Sequence, residues 1–364
     1  MKVAVIGPVA PFRSGIARHT TAIVGELAGR PGMEVAVWSF SRQYPSRLFP
    51  GGDQVDPGLH APKGVPVHWT IDTLNPASWR RTAGEVGAFA PDLVIIPVWT
   101  FFVAPALGWI ARNLRRNGIA VTMVVHNAFD HEEAAWKGRL MRFQLRQASR
   151  LVVHNGSVAE QLGRHGLHPP VAVCPHPLYD DYPEPKGDLP RRAPLELLFF
   201  GLVRPYKGLD TLLRALATAG RDDVRLTVAG EFWSGLEETR RQITAAQLDS
   251  IVDLIPRYVT DDEAAELFAR ADVVVAPYRT ATGSGVLALA QRYLRPVVAS
   301  DIPPLREAIA HGTTGWLFPA GDSSALASLL AKEVSSRRIE SMKEPLGALR
   351  GSLSWPRLVD AILG

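Results

Sequence analysis

The chain has 364 residues and a formal net charge of +4, with 46% hydrophobic and 21% charged residues. This composition is typical of a soluble globular protein, and the length suits two domains that each bury a core. A single cysteine, Cys174, excludes an internal disulfide and a cysteine-rich zinc site and suits a reducing compartment. The charge permits several anionic partners, but the sequence has no aromatic and basic nucleic-acid motif, so we expect no nucleic-acid partner.

Two stretches bear on cellular location. Met1 to Gly7 has neither the apolar length nor the small-residue cleavage site of a signal peptide, which predicts a cytoplasmic protein. Leu93 to Ala111 carries no charge and approaches the length that spans a bilayer. Pro97 and Pro105 interrupt this second stretch, so we interpret it as a buried strand followed by a helix.

Apolar strand patterns alternate with helix patterns through the first half of the chain. The predicted elements are Lys2 to Ile6, a helix from Gly15, Glu34 to Trp38, Val65 to Trp69, a helix from Pro76, Leu93 to Ile96, a helix from Val103, Ala120 to Val125, and Leu151 to Val153. Such alternation predicts a parallel sheet covered by helices on both faces. The pattern stops near Val171 to Pro175.

A polar, proline-rich segment from Tyr182 to Arg192 is typical of a hinge. After it the alternation restarts, with strands predicted at Leu195 to Phe200, Arg225 to Val228, Ile251 to Leu254, Val273 to Ala276, and Val297 to Ala299. We therefore predict an α/β protein of two Rossmann-like doubly wound domains that face each other across a cleft, where ligands bind in this architecture. The predicted boundaries are residues 1–183, a hinge at 184–193, residues 194–352, and a C-terminal helix at 353–364.

The basic turn after the strand Leu195 to Phe200 is the strongest functional signal. It reads Gly201-Leu202-Val203-Arg204-Pro205-Tyr206-Lys207-Gly208 and leads into an apolar helix. Free backbone N–H groups and the positive end of a helix dipole favour an anion at such a turn, and Arg204 and Lys207 add two cations. The turn thus predicts a phosphate site; the alternative is that both side chains are ordinary solvated charges.

This turn resembles the diphosphate-binding turn of the family-4 retaining glycosyltransferases, which have the GT-B architecture. The resemblance implies that Gly201, Arg204 and Lys207 bind the diphosphate of a nucleotide-sugar donor and that the two cations stabilise it as it leaves. It also implies that residues 1–183 form the acceptor domain and 194–352 the donor domain. In this family the C-terminal helix packs back across the domain junction.

The first loop, Gly7 to Thr20, is similar to the family's N-terminal glycine-rich loop beside the donor diphosphate and acceptor. Gly15 is therefore expected to approach the ligand. Ser14 stands where many family members have another glycine. Within the helix that follows, Arg18 and His19 could touch an anionic acceptor, although a structural role for His19 is equally compatible with the sequence.

A histidine follows the strand Val121 to Val125, where the carboxyl end of a parallel strand faces the ligand cleft. Family members carry a histidine here that closes over the donor sugar, and this resemblance implies that role for His126. The alternative is a helix cap or a buried hydrogen bond. Asn127, His131 and Glu132 are weaker candidates.

The main departure from the family lies after the strand Val273 to Ala276. Family members usually carry two glutamates about two helical turns apart, the second of which binds the nucleotide ribose. Alanine and leucine, Ala281 and Leu289, occupy those positions here. The helix start that remains, Gly283-Ser284-Gly285-Val286, is expected to hold the diphosphate or the sugar through its N–H groups. The resemblance therefore indicates a subgroup without the glutamate pair.

Two further segments carry open interpretations. Arg139, Arg142, Arg146 and Arg150 recur at helical spacing, which suits peripheral contact with an anionic membrane or simply a solvated helix face. The arm from Phe40 through Arg42, Tyr44, Arg47, Leu48 and Phe49 is aromatic enough to shape an acceptor site, or it is a packed surface loop.

Together these features predict a retaining enzyme that moves a hexose-type sugar from a nucleotide-sugar donor to a glycan or lipid-linked acceptor. The implied route is front-face attack, in which the leaving diphosphate accepts the acceptor proton. We expect no metal and no cofactor besides the donor. The alternative is a catalytically silent member that binds sugar nucleotide or a partner enzyme. A nicotinamide-dependent oxidoreductase is disfavoured because neither half has a clean Gly-x-Gly-x-x-Gly after its first strand.

Overall fold

A computed structural model describes residues 1–45, 54–56, 58–129, 135–187 and 190–364. The chain forms two compact units. The first comprises Met1–Pro175 together with Trp355–Gly364, and the second comprises His176–Ser354.

The first unit is built on a parallel sheet with helices on both faces. Its strands are β1 (Lys2–Ile6), β2 (Glu34–Arg42), β3 (Val67–Asp72), β4 (Leu93–Val98), β5 (Ala120–Val125), β6 (Arg150–Val153) and β7 (Val171–Val173). Its helices, apart from the C-terminal one, are α1 (Gly15–Ala28), α2 (Pro76–Phe89), α3 (Ala104–Arg116), α4 (Ala135–Leu145) and α5 (Gly156–Arg164). The strand order is β3-β2-β1-β4-β5-β6-β7. Because both faces are covered, the central strands are continuous apolar runs, and β4 is buried throughout.

The second unit repeats this arrangement. Its strands are β8 (Leu195–Phe200), β9 (Val224–Ala229), β10 (Val252–Ile255), β11 (Val273–Ala276), β12 (Val297–Ser300) and β13 (Gly315–Phe318), in the parallel order β10-β9-β8-β11-β12-β13. The helices from here to the C-terminus are α6 (Leu209–Ala219), α7 (Leu236–Ala245), α8 (Asp261–Arg270), α9 (Gly285–Arg292), α10 (Pro303–Ala308), α11 (Ser323–Lys332), α12 (Ser336–Ser341), α13 (Lys343–Arg350) and α14 (Trp355–Leu363). The predicted pair of doubly wound domains is confirmed.

Each sheet reverses its strand order at one place, between β1 and β4 in the first unit and between β8 and β11 in the second. The connections that leave the two strands of such a pair run in opposite directions and open a crevice at their carboxyl ends. The predicted phosphate turn follows β8, and the helix start Gly283 to Val286 follows β11. Both therefore lie at the reversal point of the second sheet.

The compact units divide earlier than the predicted boundary at residues 183 and 184. Segment 176–183 is bonded into the second unit, where the Tyr293 hydroxyl donates to the Pro183 carbonyl at 2.7 Å. Within the predicted hinge, 184–193, the Lys186 ammonium lies 2.7 Å from an Asp262 carboxylate oxygen and Arg191 pairs with Asp272. Residues 188 and 189 of this hinge lie outside the described part of the chain.

The C-terminal helix α14 belongs to the first unit. The Arg30 guanidinium of α1 donates to the Asp360 carboxylate at 2.7 Å, and the Thr122 hydroxyl of β5 donates to the Ile362 carbonyl at 3.2 Å. The uncharged stretch from Leu93 to Ala111 is β4 and the first half of α3, as predicted. Within the described ranges, each helix is too short or too polar to cross a membrane.

Candidate functional site

Two glycines set the path of the turn after β8. Gly201 has φ of 89° and Gly208 has φ of 68°, in the left-handed region that favours glycine. A β-carbon at Gly208 would lie 2.0 Å from the carbonyl oxygen of Pro277, which follows β11. The loops after β8 and β11 therefore pack backbone against backbone, and Pro205–Lys207 forms a short 3-10 turn between the glycines.

Lys207 is a buried cation in this turn. Its side chain is 8% exposed, and Nζ lies 5.6 Å from the centroid of the Tyr278 ring. Burial, together with the nearby charge of Arg204, lowers the pKa of Lys207 to about 8. Burying an ammonium is costly unless an anion balances it, so this arrangement favours binding of an anionic ligand.

Arg204 is held by an aromatic ring from the neighbouring loop. Its guanidinium carbon lies 3.6 Å from the ring centroid of Trp233, which follows β9. Stacking fixes the plane of the guanidinium and directs its hydrogen bonding to the edge of that plane. Trp233 was not recognised from the sequence, because only the order of strands brings the loops after β8 and β9 together.

Arg279, another residue that the sequence analysis did not single out, connects the loop after β11 to the phosphate turn. Its backbone N–H donates to the Tyr206 carbonyl at 2.7 Å, and its guanidinium donates to both carboxylate oxygens of Asp210 at 2.8 and 2.6 Å. Burial acts to raise the pKa of Asp210, but the ion pairs with Arg279 and Arg214 outweigh it and keep this pKa below its ordinary value. These contacts brace the turn that carries Arg204 and Lys207.

The start of α9 lies beside the turn that carries Arg204 and Lys207. The Ser284 hydroxyl accepts from the Leu287 N–H at 3.4 Å and caps the helix. Ser284 also hydrogen-bonds the Tyr278 hydroxyl, whose pKa burial raises. A β-carbon at Gly201 would lie 3.2 Å from the Lys207 Nζ and 3.6 Å from a methyl carbon of Val286. The structure thus brings Gly201, Lys207 and Val286 together.

The other residues of the predicted helix start occupy different surroundings. Gly283 is exposed, and a β-carbon there would meet no atom within 4 Å. Gly285 faces Tyr179, whose hydroxyl would lie 3.4 Å from such a β-carbon. Leu289 is 4% exposed within α9, and Ala281 is partly buried in the loop before it. Both residues to which the resemblance assigned the glutamate positions therefore carry apolar side chains.

In the first unit, the predicted residues lie at the carboxyl ends of β1 and β5. The Ser14 hydroxyl accepts from the Ala17 N–H at 3.1 Å and caps α1, and a β-carbon at Gly15 would meet no atom within 4 Å. His126 follows β5, and its backbone N–H donates to the Val98 carbonyl at 2.9 Å. The ring centroids of His126 and His19 are 4.4 Å apart. Residues 130–134, which include His131 and Glu132, lie outside the described part.

A third histidine, His154, joins this group and was missed by the sequence analysis. Its ring centroid lies 5.0 Å from that of His19 and 5.2 Å from that of His126. His154 follows β6 directly, which is the same signal that indicated His126. The two strands are neighbours in the sheet, so their carboxyl ends are adjacent.

An aromatic pocket of about 540 Å³ also lies in the first unit. Its walls include Phe12, Phe40, Tyr44 and Trp69, and the Tyr44 hydroxyl accepts from the indole N–H of Trp99 at 3.0 Å. This pocket contains the beginning of the predicted acceptor arm. The rest of that arm, including Arg47, Leu48 and Phe49, falls outside the described residues.

Part of the predicted basic stripe lines a second concavity of about 440 Å³. Arg139, Arg142 and Arg146 meet Arg112 of α3 there. Arg150 does not contribute to this concavity, because it lies at the start of β6 and donates to the Ala361 carbonyl at 3.2 Å. The remaining stripe forms a concentrated positive surface that suits an anionic ligand or surface.

Two doubly wound domains, each with a parallel sheet whose strand order reverses once, are characteristic of the GT-B class of folds. Comparison with protein families then identifies the family of the chain. The model of glycosyl transferase 4-like domains matches residues 14–193, and the model of glycosyl transferases group 1 matches residues 194–334. The two matches follow one another and together take in most of the chain. It therefore belongs to the glycosyltransferases that are built from these two domains.

Curated relatives agree with this family. GDP-mannose:glycolipid 4-beta-D-mannosyltransferase of Xanthomonas campestris pv. campestris is 28% identical over 210 residues, which is 57% of either chain. D-inositol 3-phosphate glycosyltransferase of Geodermatophilus obscurus is 28% identical over 295 residues, which is 72% of this chain and 64% of the relative. The chain thus matches less than two thirds of the length of these relatives.

Solved structures share the fold at low sequence identity. Anabaena HepE, in complex with UDP and glucose, has a TM-score of 0.77 at 17% identity and covers 100% of this chain and 98% of its own. Sucrose-phosphate synthase of Thermosynechococcus elongatus has a TM-score of 0.72 at 17% identity and covers 99% of this chain and 96% of its own. These matches support the GT-B fold.

Proposed function

We propose that the protein is a retaining glycosyltransferase that moves a hexose-type sugar from a nucleotide-sugar donor to a hydroxyl of a glycan or lipid-linked acceptor. The observation that carries the proposal is the convergence of Lys207, Gly201 and the start of α9 at the reversal point of the second sheet, with Arg204 on the same turn. Relatives that use GDP-mannose, and a structural neighbour in complex with UDP and glucose, support a nucleotide-sugar donor.

In the proposed reaction the bond between the sugar carbon C1 and the diphosphate oxygen breaks while a bond from C1 to the acceptor oxygen forms on the same face. The leaving diphosphate takes the proton of the acceptor hydroxyl. Arg204 and Lys207 neutralise the negative charge that grows on the diphosphate, which is the largest electrostatic demand of the step. The two side chains supply the positive charge that balances the leaving diphosphate. We therefore propose that transfer requires neither a metal nor another cofactor. The resemblance assigns His126 to the donor sugar.

The first unit is proposed to receive the acceptor. Its aromatic pocket offers Phe12, Tyr44 and Trp69 as flat apolar faces for a sugar ring. The concavity with Arg112, Arg139, Arg142 and Arg146 supports a lipid-linked acceptor at an anionic membrane surface. We accordingly propose a cytoplasmic protein with peripheral contact at the inner face of the membrane.

A transfer assay with a panel of nucleotide sugars and saccharide acceptors tests this proposal. Replacing Arg204 by Ala should lower kcat/KM by roughly 10²- to 10³-fold, or about 2.7 to 4 kcal/mol, because a contact that strengthens in the transition state is lost. Arg240→Ala is the matched control, since Arg240 is an exposed arginine of α7 whose ion pair with Glu237 lies on the surface. Equal turnover of the two variants would refute the assignment of Arg204.

The replacement of the glutamate pair by Ala281 and Leu289 favours one alternative function, a silent member that binds sugar nucleotide or a partner enzyme without transfer. Leu289 is a residue of α9, and its apolar side chain is buried. Transfer to any acceptor would exclude this alternative. The alternative would be favoured if the protein bound a donor but showed neither transfer nor donor hydrolysis with any member of the panel.

A further inference from the structure

We propose that His19, His126 and His154 form a binding site for a divalent transition metal ion, with Zn²⁺ as the best-suited ion. One ring nitrogen from each histidine can be chosen so that all three lie within 4.8 Å of one another. The side chains come from three separate elements: α1, the connection after β5 and the connection after β6. Such convergence of imidazoles within a fold is the pattern of a three-histidine metal site.

The surroundings hold these rings in place. His19 is only 1% exposed, and the Trp355 ring of α14 packs against it with centroids 5.0 Å apart. The centroids of His19 and His126 are 4.4 Å apart in an edge-to-face arrangement. A buried and packed ligand loses little conformational freedom when a metal binds, which favours affinity.

His154 has the hydrogen bond expected of a metal ligand. Its Nδ1 lies 3.1 Å from the carbonyl oxygen of Cys174. A carbonyl oxygen only accepts, so Nδ1 carries the proton and Nε2 carries the lone pair. Metal-binding histidines commonly donate their other ring N–H to a backbone carbonyl in this way, which fixes both the tautomer and the ring orientation.

The donor set selects the kind of ion. Imidazole nitrogens suit Zn²⁺, Cu²⁺, Ni²⁺ and Co²⁺, whereas Mg²⁺ and Ca²⁺ prefer oxygen ligands. Tetrahedral Zn–N bonds of about 2.0 to 2.1 Å place ligand nitrogens roughly 3.3 Å apart, so the rings need to approach by about 1.5 Å or less. Three protein ligands leave a fourth position for water or an added ligand.

The three ligands belong to the first unit and the phosphate turn belongs to the second, but His126 is also the residue that the resemblance assigns to the donor sugar. A bound ion would link α1 to the carboxyl ends of β5 and β6. Metal binding can be measured without any sugar nucleotide. The variants that test the metal site leave His126 unchanged, so failure of this proposal and failure of the proposed transfer reaction remain distinguishable.

The test is calorimetric titration of chelator-treated full-length protein with Zn²⁺, together with the visible absorption of the Co²⁺ form. We expect one Zn²⁺ per chain, a d–d absorption band typical of four-coordinate Co²⁺, and no heat with Mg²⁺ at the same concentrations. His154→Gln should weaken Zn²⁺ binding at least tenfold and abolish the Co²⁺ band. His19→Gln should have the same effect. Because His19 is buried, this variant could fail to fold, and the test then rests on His154→Gln, whose side chain is partly exposed.

His168→Gln is the matched control, because His168 is an exposed histidine of the same unit. It should bind Zn²⁺ as tightly as the wild type does. Retention of full affinity in His154→Gln would overturn the proposal, as would loss of binding in His168→Gln. The proposal would also be overturned if the wild type bound no Zn²⁺ at about 0.1 mM, which is roughly 100 times the dissociation constant of a micromolar site.

Discussion

The ammonium of Lys207 lies against the backbone of Gly201, so near that a β-carbon on this glycine would be 3.2 Å from Nζ. Gly201 also has φ of 89°, which disfavours any side chain. The glycine therefore does two things: it turns the chain after β8, and it leaves room for a buried cation. This relationship places a positive charge at the point where we propose that the donor diphosphate binds.

The first prediction separates these two roles of Gly201. Gly201→Ala should cost about 1 kcal/mol of stability through backbone strain and, by displacing Lys207, weaken donor binding about tenfold or more. Gly220→Ala is the matched control, because Gly220 has φ of 59° and a β-carbon there would meet no atom within 4 Å. Equal donor affinity in the two variants, measured by calorimetry, would show that the contact with Lys207 does not matter for binding.

The second prediction concerns the pH dependence of donor binding. The pKa of Lys207 is about 8 in the free protein, so the side chain is charged below pH 8 and neutral above it. The dissociation constant of the donor should therefore rise above pH 8, by up to about tenfold per pH unit. In Lys207→Met the dissociation constant should be larger at pH 7 and nearly constant from pH 7 to 9.5, and a wild-type curve equally flat would contradict the prediction.

The third prediction is that the same lysine lowers stability. Its pKa in the folded state, about 8, is below the ordinary value of 10.5, so the unfolded chain binds the extra proton between these pH values. The free energy of unfolding of the wild type should thus rise with pH from about 8 to 10.5, and the burial penalty is fully present below pH 8. Lys207→Met should gain up to about 3 kcal/mol at pH 7.

Urea denaturation at pH 7 and pH 9.5 measures this effect. Lys332→Met serves as control, because Lys332 is an exposed lysine of α11 and its replacement should change stability by no more than about 0.5 kcal/mol. If Lys207→Met is less stable than the wild type at pH 7, Lys207 already has a compensating partner in the free protein.

The fourth prediction uses two tryptophans to separate donor from acceptor. Trp233 stacks on Arg204 in the second unit, whereas Trp69 lines the aromatic pocket of the first. Trp233→Ala should raise the KM of the donor about 2- to 30-fold, because a cation–π contact contributes about 0.5 to 2 kcal/mol. Trp69→Ala should raise the KM of the acceptor and leave that of the donor unchanged. Steady-state kinetics measure both KM values. A higher acceptor KM in Trp233→Ala and a higher donor KM in Trp69→Ala would show that the two sites have been assigned the wrong way round.

Much of the fold was predictable because buried parallel strands are continuous apolar runs. The predicted bounds of β1, β8 and β11 agree with the structure. The last strand of each sheet was harder to recognise. β7 is only three residues long, and two of them, Val171 and Val173, are 38% and 52% exposed. β13 begins with glycine and has only four residues, and no strand is predicted there.

The site was predictable where it lies within one turn, as for Arg204 and Lys207. Trp233 and Arg279 come from different connections, and only the strand order β9-β8-β11 brings them to that turn. His154 is different, because its position directly after an apolar strand was visible in the sequence. Applying one criterion to every strand end would have found it beside His126.

The central claim is that the turn after β8 binds the diphosphate of a nucleotide sugar. The most direct measurement is calorimetric titration of the wild type and of the double variant Arg204→Ala, Lys207→Ala with UDP-, GDP-, TDP- and ADP-sugars. Our account predicts that the wild type binds at least one of these nucleotides and that the double variant, although folded, loses this binding by 100-fold or more, on the scale of two charge-assisted contacts. Undiminished binding in the folded double variant, or no binding to the wild type, would contradict it.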